Sequence, residues 1–506
     1  MESDSPSRAE RRKAGRSPWD IVGLLFCAVW AAAVLFFPLR KGMWLGYVPV
    51  AVGMAAGAAL CLGRVRNLAA RRLDRPPTWQ FLLWWAGIGL ALRAATILLY
   101  SPDLVSDSAV YHALGVRLAD GRGYGASAFL PPGYPFLLSA WYALTAARPV
   151  WAMVLGALVG TASVPLAHDV GRRAAGRTAG RWAAALTAVM PTLVFTSAQV
   201  HTSALLAMIV LGIMDLILLA ADRPWPQAAV ATAALGLLMG YGALVRPLFL
   251  VGPAAVVAAV WALHSGKRAA LVAAACAALT GLVVIPWTAR NYRLLGGFAP
   301  VSTNGGYVLY CGLNPESDGM WTQDAAYPKR LNELEADRLR RRQALDRARS
   351  HPGACLKLMA RKQVYMWGTS SINVPPKLSG SLPRPVASGA GDLVKLLVNA
   401  AWAMLLVLAA RAAWTGAGWR DSRLLAGVLF VLFLFVAHLF FEVQSRYHIP
   451  AMPVLILIAS AGLARRDEPG TRGALSRPSS EKAAARRRSG RISVPAGREG
   501  CAGRSP

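Results

Sequence analysis

The stretch that decides how the chain folds is residues 101–141, SPDLVSDSAVYHALGVRLADGRGYGASAFLPPGYPFLLSAW. Two acids, Asp103 and Asp107, directly follow an apolar segment (80–100) that is long enough to span a bilayer. A short amphipathic stretch, a Gly-rich loop, a Pro-Pro-Gly-Tyr-Pro turn and another apolar segment come next. Because a charge at the end of a membrane helix is costly to desolvate, this stretch is a candidate functional site.

The composition of the whole chain indicates a polytopic membrane protein. Of its 506 residues, 55% are hydrophobic and only 16% are charged, whereas soluble domains carry about 25% charged residues. The formal net charge is +30, but the basic residues lie at the termini and between apolar segments, as in the cytoplasmic loops of membrane proteins. We therefore predict no nucleic-acid partner.

The apolar segments predict an all-α polytopic protein with about 12 transmembrane helices and an external amphipathic helix after the third, because a helix needs about 20 residues to span a bilayer. The candidate segments are 19–38, 43–62, 80–100, 133–147, 150–170, 180–198, 200–221, 228–245, 247–265, 269–287, 393–413, 422–441 and 447–463. Of these, 133–147 is short and 180–198 contains Pro191.

The distribution of Lys and Arg predicts the orientation of these segments. The basic N-terminus, the arginines of 64–75 and the basic tail belong inside, which places 101–132 and 288–392 outside. One of the segments between 133 and 287 must then fail to cross, and we favour 133–147 as a partial helix. We expect a multi-pass protein of the plasma (inner) membrane with its site on the external, periplasmic side.

The expected organisation has six regions and no large soluble domain. They are a basic cytoplasmic N-terminus (1–18), two additional membrane helices (19–79), a membrane core (80–287) with the external loop 101–132, an external region (288–392), C-terminal membrane helices (393–463) and a basic disordered cytoplasmic tail (464–506). A charged helix is expected near 331–349. A disulfide between Cys311 and Cys355 is left open, because the spacing of the cysteines does not establish it.

Asp107 has two interpretations. Asp before Ser-Ala-Val-Tyr is typical of a helix N-cap, which accepts hydrogen bonds from free backbone N–H groups. A carboxylate at the membrane boundary also suits a general base, because partial desolvation raises its pKa. The same residue could serve as both, and the residue chemistry alone does not choose between them.

A family resemblance adds to this reading. DSAVYHALGVRLADGRGY followed by PPGYP resembles the D-E-x-x-Y…A…G-x-G-Y…PP-x-Y-P pattern of family 39 glycosyltransferases, which have the GT-C fold and include protein O-mannosyltransferases and bacterial aminoarabinose transferases. The resemblance implies that Asp107 is the catalytic base, that Tyr111 matches the family's tyrosine and that Tyr134 lies in its Pro-Pro turn. Ser108 stands where the family has a second acid.

Three further stretches are similar to the family pattern, in the same order. They are GALVRPLFL (242–250), IPWTARNYRLLGGFAPVSTNGGYVLYCGLNP (285–315) and QSRYHIPAMPVL (444–455). The candidate substrate-binding residues are Tyr111, His112, Tyr134, Arg246, Arg290, Asn291, Arg446 and Tyr447. The arginines are candidate phosphate ligands, since guanidinium geometry suits phosphate, although each could instead reach a lipid headgroup. Arg290 and Arg446 are favoured over Arg246, because both are expected on the outer side with Asp107.

A further departure from the family pattern concerns a missing acid, and a possible metal site is a separate question. Thr202 and Ser203 stand where many relatives have an acid, so the chain lacks that group or uses His201 instead. His112 and Glu442 could join Asp107 around a divalent cation, but no metal-ligand spacing is present. We assign no metal ligands and no certain cofactor, and leave a divalent cation open.

Together these features predict a membrane glycosyltransferase. Asp107 would activate an acceptor hydroxyl that displaces polyprenyl phosphate from a hexosyl or pentosyl donor, with inversion, and the acceptor would be a lipid, a glycan or a protein. Membrane lipid is a further expected partner. A transporter or flippase of polyprenyl-linked sugars is the alternative from another class, although no internal repeat is visible. A non-catalytic scaffold of the same fold is the third reading.

Overall fold

The computed structural model of the chain describes residues 18–40, 47–99, 104, 106–197, 199–251, 266–314, 316–320, 331–370, 384–417, 419 and 422–465. By its contacts the chain divides into two units, Met1–Arg465 and Arg466–Pro506, and every described residue belongs to the first. The predictions for residues 1–17, for Asp103 and for the tail from 466 onward therefore fall outside the described residues.

The described residues are helical and contain no β-strand, which confirms the predicted all-α class. The helices are α1 (Pro18–Arg40), α2 (Tyr47–Cys61), α3 (Gly63–Asp74), α4 (Thr78–Leu99), α5 (Asp107–Ala119), α6 (Gly133–Leu144), α7 (Pro149–Ala175), α8 (Arg177–Val189), α9 (Pro191–Ser197), α10 (Ser203–Asp222), α11 (Trp225–Val245), α12 (Lys267–Leu295), α13 (Gly305–Leu313), α14 (Glu333–Ser350), α15 (Pro352–Trp367), α16 (Arg384–Trp414), α17 (Leu425–Phe440) and α18 (Met452–Ala464). Short 3₁₀ turns lie at Pro247–Val251, Ser422–Leu424 and Ser445–Ala451.

Seven helices among the described residues are long and apolar enough to cross a membrane. They are α4, α7, α10, α11, α12, the part of α16 from Gly391 to Trp414, and Ser445–Ala464, which joins the last 3₁₀ turn to α18. The pair α2 and α3, bent by 77°, would make an eighth if it were one span. A multi-pass membrane protein is therefore supported, whereas the total of about 12 spans stays a prediction.

Local sequence explains where the helices depart from the predicted segments. Val189 ends α8 and Pro191 begins the short α9, because proline cannot continue the hydrogen-bond ladder of the preceding helix. Helix α6 has 12 residues, too few to span a bilayer, as expected for 133–147. Of the candidate 247–265, the described part is the 3₁₀ turn Pro247–Val251.

Helix α18 is the centre of the bundle. Every residue from Met452 to Leu463 is buried, as an apolar sequence without a polar face requires. The helix packs against α7, α8, α10 and α16. The 3₁₀ turn before it (Ser445–Ala451) contacts α10 and α15. This packing carries Arg446 to the side of the bundle where α10 begins.

Helices α5 and α6 form a hairpin that meets the end of α11. Gly115 of α5 lies against Leu138 and Tyr142 of α6, where an added Cβ would be 2.9 Å from the Leu138 side chain. At Gly133, the first residue of α6, an added Cβ would be 2.7 Å from the backbone nitrogen of Val245. The close approach brings Asp107, at the start of α5, into the same region as Arg246, which follows α11.

The region 288–392, predicted to be external, contains the predicted charged helix as α14. Its start is a capping box, in which Asn332 and Glu335 exchange side-chain and backbone hydrogen bonds. Asp337 and Arg341, four residues apart on this helix, form an ion pair at 3.0 Å. Cys311 and Cys355 are both buried free thiols, so the disulfide that the sequence left open is absent from this structure.

Candidate functional site

Asp107 is bonded to an arginine from the far end of the chain. Nη2 of Arg446 donates to Oδ2 of Asp107 at 2.6 Å, across 339 residues of sequence. The N-cap interpretation is wrong, because Ser106 occupies the cap position of α5 and Asp107 is its first helical residue. Ser106 has a φ of 53°, a strained conformation for a residue other than glycine, and such strain concentrates at functional sites.

The pKa of the Asp107 carboxyl moves in the direction opposite to the expected one. Burial alone would raise it, but the neighbouring His201 and Arg446 outweigh burial and lower the pKa to about 2. The expectation that desolvation makes Asp107 a stronger base is therefore wrong for the free site. Asp107 is a carboxylate at every physiological pH, and its interactions with Arg446 and His201 weaken it as a base.

His201 is the second neighbour of Asp107. Its Nε2 lies 3.9 Å from Oδ2 of Asp107, and its Nδ1 is 2.9 Å from the hydroxyl of Ser203. Burial, the largest effect, and the charge of Arg446 lower the pKa of His201 to about 4, although Asp107 opposes them. The ring is therefore neutral near pH 7, and a Ser203 hydroxyl that donates to Nδ1 leaves the ring proton on Nε2, towards Asp107.

Aromatic rings form the wall beside this pair. Tyr111 and Tyr134 are buried, with ring centroids 5.2 Å apart in an edge-to-face contact. Tyr111 also meets the ring of His201 edge to face, with centroids 6.0 Å apart. Edge-to-face contacts of this kind fix ring orientation. Both predicted tyrosines thus lie at the site, and His201, suggested as a substitute for the missing acid, joins them.

A second arginine lies beside Arg446, on the face of a tyrosine. The guanidinium of Arg246 is 4.2 Å from the ring centroid of Tyr447, within the range of a cation–π contact. The Tyr447 hydroxyl donates to Oε1 of Glu442. We call Asp107, Arg446, Arg246, Tyr447 and Glu442 the carboxylate–arginine group. Arg246, which the sequence analysis ranked below Arg290 and Arg446, belongs to this group.

The carboxylate–arginine group has unfilled hydrogen-bonding capacity. Nε of Arg446 and Oε2 of Glu442 are both buried and have no hydrogen-bond partner among the described residues. Buried polar atoms in proteins are almost always bonded, so each exception calls for an explanation. A substrate that supplies an acceptor to Arg446 would satisfy one of them.

Arg290 and Asn291 are part of a different structure. Nη1 of Arg290 donates to the carbonyl of Ser127 at 3.0 Å and Nη2 donates to that of Gly125. Nδ2 of Asn291 donates to the carbonyls of Ala299 and Val301 at 3.0 and 3.2 Å. With these donors Arg290 and Asn291 hold backbone loops, and their assignment to substrate binding stays a prediction from the sequence.

Glu333, at the start of α14, completes this loop structure. It accepts from the Ser127 hydroxyl at 2.7 Å, from the backbone N–H of Ala128 at 2.8 Å and from the Thr303 hydroxyl at 3.0 Å. We call Arg290, Asn291 and Glu333 the loop anchor. It fixes the loop 125–128 against α12 and α14, and thereby fixes the segment that leads into α6.

His112 also lies apart from the carboxylate–arginine group. Its Nδ1 is 2.8 Å from the Tyr142 hydroxyl, so it faces α6. Among the described residues, no group of three or more His, Cys, Asp or Glu side chains could hold a metal ion. The described residues thus offer no metal site around His112. Its assignment to substrate binding stays a prediction from the sequence.

Lys362 is a residue of the site's surroundings that sequence reasoning missed. Its side chain is fully buried, and Nζ donates to the carbonyls of Gly312 and Phe441 at 2.7 and 2.8 Å. The second bond holds the residue directly before Glu442. No local signal marks it, because Lys362 stands between Arg361 and Gln363 in a helix with three basic residues. Its burial is possible because both carbonyls accept from it, since lysine is almost never fully buried without partners.

Comparison with known proteins finds similar solved structures but no matching protein-family model and no matching curated protein. The chain is similar to the Archaeoglobus fulgidus oligosaccharyltransferase in complex with Zn and sulfate, at 15% identity and a TM-score of 0.45, over 75% of this chain and 48% of that one. It thus spans about half the length of that enzyme.

It is also similar to ArnT from Cupriavidus metallidurans bound to undecaprenyl phosphate, at 14% identity and a TM-score of 0.39, over 76% of this chain and 77% of that one. At these identities and scores, what the chain does depends on the chemistry of its own site.

Proposed function

We propose that this protein is an integral-membrane glycosyltransferase that moves a sugar from a polyprenyl-phosphate donor to a hydroxyl of an acceptor. The observation that carries the proposal is the carboxylate–arginine group: Arg446 reaches the Asp107 carboxylate at 2.6 Å, and Arg246 lies on the adjoining ring of Tyr447. A base and two cations at the edge of the bundle are what this reaction needs. The family resemblance of the surrounding motifs supports the same assignment.

The reaction is a displacement at the anomeric carbon. The acceptor oxygen forms a bond to that carbon while its proton passes to a carboxylate oxygen of Asp107. The bond between the carbon and the phosphate oxygen breaks, and polyprenyl phosphate leaves with the electron pair. Attack opposite the leaving group inverts the configuration, and no nucleotide or redox partner enters the balance.

The two arginines are assigned to the phosphate. Negative charge grows on the bridging oxygen as the bond breaks, and preorganised cations stabilise it in a site of low dielectric constant. Arg446 keeps an unpartnered buried Nε, and Arg246 is held by the Tyr447 ring through a contact that leaves its N–H donors available. Guanidinium groups bind phosphate oxygens through paired hydrogen bonds.

Donor binding strengthens the base in this mechanism. In the free site the charge of Arg446 helps to lower the pKa of Asp107 to about 2, with His201 as the other contributor and burial opposing both. A phosphate that draws Arg446 away removes part of that effect, and burial then raises the pKa of the carboxyl. Asp107 therefore becomes a stronger base when the donor is bound. This limits its removal of a proton from an acceptor when no donor is present.

The membrane context is part of the same proposal. Asp107 follows the spanning helix α4, so the site lies where a lipid-linked donor meets a water-soluble or membrane-bound acceptor. We propose the external face of a plasma (inner) membrane, on the distribution of Lys and Arg. The acceptor is a hydroxyl of a lipid, a glycan or a protein, and the donor sugar is a hexose or pentose.

The test is transfer of radiolabelled sugar from polyprenyl-phosphate donors to endogenous acceptors in membranes. Asp107→Asn is expected to lower the rate about a hundredfold to ten-thousandfold, the usual contribution of a general base. Asp120→Asn is the matched control, since Asp120 lies just beyond the C-terminal end of α5 and its carboxylate pairs with the exposed Arg122. The control is expected to retain full activity at equal expression.

The alternatives give different results. Equal transfer by Asp107→Asn and wild type would exclude Asp107 as the base. No transfer by any form across a panel of donors would contradict the enzyme assignment. Movement of intact labelled donor across the membrane would then favour the flippase.

A further inference from the structure

Helix α3 lies at the end of α4 opposite to Asp107. It follows α2 at an angle of 77° and is joined through residues 75–77 to α4, which is long and apolar enough to span the membrane and leads to Asp107. The sequence of α3, GRVRNLAARRLD, contains four arginines, so it does not continue the apolar span of α2. A basic helix that turns sharply away from a spanning helix is typical of the membrane–water interface.

One face of α3 is fixed to the bundle. Arg66 is buried with 1% exposure. At the end of the helix, the Thr178 hydroxyl donates to Oδ2 of Asp74 at 2.8 Å, and Arg181 donates to the carbonyls of Leu73 and Pro76. These contacts with α8 hold the orientation of α3, so its other faces have defined directions.

The remaining surface of α3 combines an apolar stripe with arginines. Leu62, at the residue before α3, and Val65 and Leu68 are 61%, 42% and 55% exposed. At 100° per residue these three side chains occupy one side of the helix. Arg64 and Arg71 are exposed and lie along one edge of this stripe, while exposed Arg72 lies within it, towards the C-terminal end.

A tryptophan indicates the depth of this surface. Trp79, in the first turn of α4, is 66% exposed. Exposed tryptophans at the ends of spanning helices lie in the headgroup layer. Because α3 ends at Asp74, only a few residues earlier, its apolar stripe is at the level of the lipid headgroups rather than in bulk water.

We propose that α3 is a binding site for anionic phospholipid headgroups in the leaflet opposite the Asp107 site. The apolar stripe of Leu62, Val65 and Leu68 enters the boundary of the acyl chains, and Arg64, Arg71 and Arg72 contact the phosphates. Charge complementarity selects anionic lipids over zwitterionic ones, since each basic residue near an anionic surface adds binding free energy. Nothing in this site depends on the proposed glycosyl transfer.

The experiment uses the full chain reconstituted in nanodiscs. These contain phosphatidylcholine with a trace of either photoactivatable phosphatidylglycerol or photoactivatable phosphatidylcholine, and the cross-linked lipid is located by peptide mass spectrometry. Peptides covering 62–75 are expected to take up the phosphatidylglycerol probe in preference to the other. Each arginine is expected to contribute a factor of at most about five to this preference. The triple variant Arg64→Gln, Arg71→Gln, Arg72→Gln is therefore expected to reduce it by at most the product of three such factors.

The matched control removes the same charge elsewhere on the predicted cytoplasmic side. Arg486→Gln, Arg487→Gln, Arg488→Gln in the tail is expected to leave the labelling of 62–75 unchanged. A gel-filtration profile and melting temperature equal to wild type establish that the α3 variant is folded. Higher salt is expected to weaken the preference, because exposed charges are screened.

Three results would overturn the proposal. Equal labelling of 62–75 by the two probes would show that α3 does not select lipids by charge. If the folded α3 variant kept the preference for the phosphatidylglycerol probe, residues other than these arginines would be its cause. Absence of lipid label together with cross-links from α3 to a second copy or another protein would identify a protein interface instead.

Discussion

The carboxylate–arginine group and the loop anchor are both built on arginines that lie in family-like motifs, yet their bonding differs. In the loop anchor, Arg290 donates to two backbone carbonyls and stacks 4.4 Å from the Trp287 ring centroid, while Asn291 and Glu333 also hold backbone groups. In the carboxylate–arginine group, Arg446 holds a carboxylate and leaves its Nε unpartnered.

The difference separates a structural role from a functional one. An arginine whose donors hold the chain's own backbone stabilises a loop, and fewer of its five N–H donors remain for a ligand. Unfilled capacity in a buried group has a free-energy cost that a protein seldom retains without a use. Arg290 and Arg446 both lie in family-like motifs, but they differ in which of their hydrogen-bond donors have partners.

Of the arginine substitutions that compare the two groups, Arg446→Gln is expected to have the largest effect. Loss of a preorganised cation at the phosphate is expected to lower the transfer rate about a hundredfold to a thousandfold. The pKa of Asp107 is also expected to rise, because burial is then opposed mainly by His201. The acid limb of the pH–rate profile should move to higher pH in the variant, which the transfer assay measures directly.

Arg290→Gln is the control for this change. At matched amounts of folded protein it is expected to keep the wild-type rate and acid limb, since its bonds belong to the loop anchor. Equal rate losses in the two variants, with no shift of the acid limb for Arg446→Gln, would refute the distinction between the two groups.

The sequence predicted the membrane helices well, because hydrophobic length is a local property. The predicted 228–245 and 269–287 correspond to α11 and α12, and 200–221 corresponds to α10. Helix α3 was missed, since its arginines mask an apolar stripe that is visible only in the folded helix. Proline at 191 was noted in the sequence, and its effect is the break between α8 and α9.

The site was predicted in its residue types and less well in its contacts. Asp107 and Arg446 were both candidates, but a bond across 339 residues depends on the packing of α18 and α5 and has no local signature. The sequence analysis preferred Arg290 to Arg246, because the predicted side of the membrane was the only geometric criterion available. The downward pKa shift of Asp107 could not be anticipated, since it requires knowing which charges lie beside the carboxyl.

A smaller effect is expected for Arg290→Gln on stability. The carbonyls of Gly125 and Ser127 lose their donor, and the loss of a partner for a partly buried polar group costs about 1–3 kcal/mol. The free energy of unfolding should fall by this order in thermal or denaturant unfolding in detergent. Arg122→Gln, which removes an exposed arginine paired with Asp120 near the same loop, is expected to change it little. A stability equal to wild type in Arg290→Gln would contradict the assignment of Arg290 to the loop anchor.

The smallest effect concerns Glu442, the member of the carboxylate–arginine group whose protonation is expected to change with pH. Burial raises its pKa above the ordinary 4.5, and Asp107 adds to this, although Tyr447, Arg446 and Arg246 oppose it. The folded state therefore binds this proton more tightly than the unfolded chain does. Its contribution to stability is complete below the ordinary pKa and is lost as the pH rises through the raised value.

Glu442→Gln tests this sign, because glutamine can still accept from the Tyr447 hydroxyl but does not titrate. The difference in unfolding free energy between variant and wild type should grow in favour of the variant as the pH rises from the ordinary carboxyl range towards neutrality. Its size would be about 1.4 kcal/mol for each unit of pKa shift. Lys362, whose pKa burial lowers to about 7, also lies near Glu442 but is present in both proteins, so most of its own titration cancels in the difference. A difference that does not vary with pH, or that favours the wild type as pH rises, would mean that Glu442 is ionised in the folded site and acts as a second carboxylate partner of the arginines.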